Sequence, residues 1–183
     1  MLNWKFNDVE ISDYMIVTGI QRNIGQNRAV TLKKVGNTNG KVLSAVSADE
    51  GKIVVTGAIV NNLPAKRRSL AAIFTTNEPV KLWFADEPGI YYLAMVDGQA
   101  TLDDQLRYGT ADITFVVPDA MAHSLDTKTY STPDADGNIV VLNNGTAPVY
   151  PVITATMSAE NGLVAFATDT GGVLQFGNPD EVD

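Results

Sequence analysis

Cysteine is absent from all 183 residues, which excludes disulfides, thiolate metal sites and a cysteine nucleophile. It is also compatible with folding in a reducing cytoplasm. Histidine occurs once, at His123; a histidine-rich metal site is therefore impossible, and a Ser-His-Asp array would have a single candidate base. No apolar run approaches the ~20 residues that a membrane-spanning helix needs. Residues 1–15 carry Asp8, Glu10 and Asp13 and have no apolar stretch, so no secretory signal is expected. Basic charge is in short supply: 13 Lys and Arg stand against 21 Asp and Glu, a net charge of −8. What is present is apolar content, 45% of the chain, enough to offset ordering entropy and build a core.

The charge is unevenly distributed. Residues 1–21 hold one basic and three acidic side chains, 22–68 nine and two, and 69–183 three and sixteen. The segment nets are −2, +7 and −13. Segregation of this kind is either two solvated faces or a basic loop that docks on an acidic surface of a neighbouring subunit. Nucleic-acid readout fits poorly, because no aromatic residue lies between Tyr14 and Phe74 to stack on bases.

Short β-branched and aromatic runs bounded by Gly, Pro, Asn or Asp predict strands at 14–20, 53–60, 80–85, 90–96, 111–117 and 139–142. Further strands are expected at 152–157, 163–167 and 173–176, joined by Asn161-Gly162 and Gly171-Gly172 turns. One helix is expected over 63–74: Asn62 can cap it, Pro64 falls in its first turn, and Leu70, Ile73 and Phe74 share a face. Lys66, Arg67 and Arg68 are unfavourably placed for the dipole at the start of that helix. A weaker helical turn is expected at 102–106.

Two connections stand out. Residues 21–52 are long for a loop inside a domain, and Ala29–Val35 and Lys41–Val46 flank an Asn37-Thr38-Asn39-Gly40 turn, which reads as an extended hairpin arm. Residues 143–151, with Pro148, Pro151 and an Asn-Asn-Gly run, form a stiff connector. The expected organisation is a domain over 1–142, the connector over 143–151, and an incomplete β domain over 152–183. The fold class is mainly β (α+β): an antiparallel β-sandwich or split barrel with one short helix and a long hairpin arm, followed by the first strands of a second β-sandwich.

Catalytic signals are weak. His123 has no nucleophile elbow around it. Asp134 and Asp136 superficially match a calcium loop, but Thr132 and Asn143 occupy positions where hard ligands belong, and an Asp-Gly turn explains the same residues. Asp86-Glu87 and Asp103-Asp104 are adjacent in sequence, which on a strand places them on opposite faces. They read as loop charges. Trp4, Trp83, Tyr91 and Tyr92 read as core or interface aromatics. No catalytic residue, metal site or cofactor is assigned, and the residue chemistry favours a structural or binding role.

The run from Arg68 to Phe74, followed by Val80 to Ala94 with its Asp86-Glu87-Pro88-Gly89 turn, resembles the N-terminal domain of siphophage distal tail proteins. Tyr108 to Ala120 is similar to a strand of that family, although Pro118-Asp119 inverts its Asp-Pro turn. Tyr14 to Arg22 resembles its early strand ending in Arg, and 143–153 its junction with a galectin-like C-terminal domain. The resemblance implies a structural virion protein of the phage tail, made in the host cytoplasm. It further implies a homo-hexameric ring hub joining the tail tube protein to a tail-tip or baseplate protein, around a lumen that DNA traverses without specific binding. A second implication, through the galectin-like domain, is carbohydrate binding for host attachment. Arg22, Arg28, Lys33 and Lys34 are the expected intersubunit contacts.

Overall fold

The structure, a computed structural model, describes residues 2–37, 39–98, 100–104, 108–131, 138–156 and 163–177. The chain divides into two units, 1–129 and 130–183. In the first, β1 (Trp4–Phe6), β2 (Val9–Glu10) and β3 (Ile16–Arg22) precede the arm strands β4 (Arg28–Lys33) and β5 (Val42–Ala48). Then come β6 (Gly51–Val60), α1 (Leu63–Phe74), β7 (Val80–Phe84), β8 (Ile90–Val96), β9 (Thr101–Asp104), β10 (Tyr108–Val117) and β11 (Ala122–Ser124). The strands outside the arm form one antiparallel sheet in the order β2-β1-β7-β8-β10-β6-β3, with β11 on β8 and β9 on β10.

Period-two patterning explains the central pair. In β6, Ile53, Val55, Gly57 and Ile59 are buried while their neighbours are not; in β10 the buried set is Gly109, Ala111, Ile113, Phe115 and Val117. The two strands pair along their whole length, Tyr108 opposite Val60 and Val117 opposite Gly51. Their inward faces meet an aromatic cluster in which Trp4 stacks on Phe84 at 5.9 Å and meets Phe115 edge-on at 6.2 Å, with Phe6 and Phe74 around it. Each such ring contributes about 1.5–3 kcal/mol through burial. Among the described residues no polar or charged residue is buried in this core.

The helix occupies the expected residues and buries Leu63 and Leu70. Its start differs from expectation. Asn62 adopts the left-handed region (φ 50°) and makes no side-chain cap, because capping requires an extended backbone that aims the side-chain oxygen at the next turn. Lys66 instead turns back to donate to the Val60 carbonyl at 3.1 Å, which explains how a cation is accommodated in the first turn.

Other departures have tertiary causes. The segment 102–104 is strand rather than helix, because Leu102 pairs opposite Ala111 and packs on the core; Leu106 lies outside the described residues. β1, β2 and β11 are too short to carry a periodic signal. Ile139–Leu142 and residues 152–156 are not in strands. Ile139 to Leu142 are exposed, and β-branched composition without a pairing partner does not make a strand.

The second unit contains β12 (Leu163–Ala167) and β13 (Val173–Gly177), an antiparallel hairpin. Its turn is closed by Thr168, whose hydroxyl accepts from the Gly172 amide at 2.8 Å, and Gly171 supplies the expected positive φ (89°). The connector 143–151 lies inside this unit and holds an Asx turn: the Gly145 amide donates to Asn143 Oδ1 at 2.9 Å. The calcium-like stretch 132–137 and the Asn161-Gly162 turn lie outside the described residues, as does Met157.

Candidate functional site: the basic arm and its root

The arm is built as the sequence suggests. Among the described residues β4 and β5 pair only with each other, from Arg28 opposite Ala48 to Lys33 opposite Val42. Gly40, at φ 93°, takes a backbone conformation in the connecting turn that side chains disfavour. An Asp49 amide to Asn27 carbonyl bond of 2.8 Å closes the base. Every residue of β5 is exposed, and so is every residue of β4 except Ala29.

Of the four expected contact residues, Arg28, Lys33 and Lys34 lie on the arm and are exposed. Among the described residues they form no salt bridge. Arg22 sits differently. At the end of β3 it points back into the protomer, donating from Nη1 to Asp86 Oδ2 at 2.7 Å and from Nη2 to Asp86 Oδ1 at 2.9 Å. Glu87 Oε2 is 3.5 Å away, and the guanidinium lies 4.6 Å from the centre of the Phe84 ring. The hydrogen bond to Asp86, against partial desolvation, raises the Arg22 pKa and holds the Asp86 carboxyl below its ordinary range. Burial, with Glu87 nearby, pushes the Tyr92 hydroxyl up, and that hydroxyl donates to Glu87 at 3.3 Å.

Sequence reasoning read Asp86 and Glu87 as loop charges and missed this network. No local signal could reveal it, since Arg22 and Asp86 are 64 positions apart. The remaining candidates find structural partners. His123 Nε2 lies 2.6 Å from Asp119 Oδ2, and its ring stacks on Tyr91. Trp83 donates to the Pro88 carbonyl at 3.1 Å. Among the described residues no cluster of three or more potential ligands could hold a metal, and no helix is long and apolar enough to cross a membrane. Two depressions, one lined by Gln26, Arg28 and Val46 to Ala48 and the other by residues of β3 with Leu2 and Asp86, are shallow and open. Small-molecule sites are typically concave and enclosing, and neither depression is.

Residues 9–117, spanning β2 to β10 and including the arm, match the family described as the phage tail protein RIFT-related domain. The chain belongs to this family. The matched description makes it a phage tail protein. The crystal structure of the SPP1 Dit (gp 19.1) protein, described as a paradigm of the hub adsorption apparatus in phages infecting Gram-positive hosts, shares its fold with a TM-score of 0.64 at 16% identity. That likeness covers 73% of the tail protein chain and 58% of the Dit chain. No curated protein matches significantly. The resemblance to siphophage distal tail proteins, read first from short motifs, is borne out.

Proposed function

We propose that this tail protein is the subunit of a hexameric ring hub that joins the tail tube to the tail tip or baseplate and surrounds the DNA channel. The observation that carries the reading is the arm: a basic hairpin, exposed at every strand position but Ala29 and without a core of its own, on a domain of a phage tail protein family. A two-stranded ribbon is at best marginal alone in water, and a neighbouring subunit supplies what it lacks. A contact between unlike surfaces of identical subunits closes into a ring when the rotation permits. Arg28, Lys33 and Lys34 are the arm's intersubunit contacts, while Arg22 braces the strand that leads into it. Residues 1–142 form the ring domain, 143–151 the connector, and 152–183 the first strands of a galectin-like domain. DNA passes through the lumen without specific binding.

Native mass spectrometry of the chain over a range of concentrations tests the reading. A six-subunit species, seen as rings by negative-stain microscopy, is expected. Monomer alone at the highest concentration would overturn it.

A further inference from the structure

The two faces of the arm differ. Along β4, Val30 and Leu32 are two positions apart and share a face. Along β5, Leu43 and Val46 are three apart, and a regular strand would send them to opposite faces. The register shifts between Thr31 and Leu32: Thr31 pairs with Ala45 and Leu32 with Leu43, leaving Ser44 as the extra residue of a bulge. A bulge resets side-chain parity, so Leu43 returns to the face of Val46. Direct cross-strand pairs Val30–Val46 and Leu32–Leu43 then form one contiguous apolar patch, its four side chains exposed by 56%, 48%, 51% and 57%. The reverse face carries Ala29, Thr31 and Lys33 opposite Ser47, Ala45 and Val42.

We propose that the arm docks on a second copy of this chain with the Val30, Leu32, Leu43 and Val46 face as its apolar contact. The identity of the occupant follows from charge. Residues 28–48 hold Arg28, Lys33, Lys34 and Lys41 and no acid, whereas residues 69–129 hold nine acids and three bases. The chain thus carries a basic apolar arm and an acidic body of complementary sign, and complementary potentials favour pairing between copies. Burial of the patch supplies the affinity, and the lysines of the reverse face and tip set the orientation. The choice of a second copy as occupant rests on the ring reading.

Sedimentation velocity across a concentration series tests this with the full chain, the Leu32→Thr/Val46→Thr double variant and the opposite-face variant Val42→Thr. All three substitutions are on solvent-exposed arm positions, so an unchanged thermal unfolding midpoint confirms folding. Losing the patch is expected to weaken association at least ~10-fold, the equivalent of about 1.4 kcal/mol; Val42→Thr is expected to associate as the wild type does. Wild-type association with an unaffected double variant overturns the docking face and spares the ring. Equal weakening by Val42→Thr overturns the single-face assignment. A wild type that stays monomeric overturns both this proposal and the ring.

Discussion

Arg22 and Asp86 form a two-pronged ion pair, 2.7 and 2.9 Å, that ties the last residue of β3 to the turn between β7 and β8. The strand that leads into the arm is thereby clamped to the body of the domain, with Phe84 beneath the guanidinium.

The clamp makes a pH-dependent contribution. Because the folded-state pKa of Asp86 is depressed, the stabilisation is complete above the ordinary aspartate value of about 3.9 and is lost as pH falls through the lower folded value. Asp86 is 41% exposed, so solvent screening limits the pair to ~1 kcal/mol or less. Asp86→Asn is expected to lower the unfolding midpoint by an amount that is constant from about pH 7 to 5 and shrinks below about pH 4. A difference that persists unchanged to pH 2 would show that the charge is not responsible. Arg22→Lys should not rescue the pair, since an ammonium cannot donate in two parallel prongs.

Gly57 marks a place where strands approach too closely for any side chain. A Cβ there would lie 2.7 Å from the Ile16 carbonyl oxygen and 2.8 Å from Met15 Cγ. Gly57→Ala is expected to destabilise the domain by about 1–3 kcal/mol through overpacking, read by urea unfolding. Gly51→Ala, whose Cβ would meet Ala120 and Val117 at 3.5 Å, should stay within about 0.5 kcal/mol.

Trp4 is fully buried, yet its indole nitrogen has no acceptor among the described residues. Replacing the donor removes an unmet desolvation cost. Trp4→Phe is therefore expected to cost under about 1.5 kcal/mol, against about 3–5 kcal/mol for Trp4→Ala. Equal losses in the two variants would point to an unseen partner for the nitrogen.

Neutralising Arg28, Lys33 and Lys34 together is expected to weaken association at low salt and to matter less at 1 M, where the Debye length falls to about 3 Å. Light scattering at both ionic strengths reads the difference. Unchanged association at low salt would assign these charges to solvation only.

Much of the architecture was legible in the chain. The helix at 63–74, the strands at 53–60 and 90–96 and the arm hairpin all carry local signals: periodicity, proline and asparagine punctuation, and a turn rich in Asn and Gly. The family resemblance was legible for the same reason, because short motifs survive where a turn or a strand end needs particular residues. Strands at 4–6, 101–104 and 122–124 were not legible, since three or four residues carry no period and become strands only when a neighbour offers its ladder.

Local patterning by itself determined the β-rich class, the helix at 63–74, the existence of the arm and the segregation of basic from acidic charge, since each depends on residues close in the chain. Tertiary structure decided what those pieces meet. It turned Arg22 inward onto a carboxylate 64 positions away, and pairing register placed Leu43 beside Val46. The physical reason is common to both: side-chain partners and strand faces are set by which backbones pair, and pairing is a relation between distant residues.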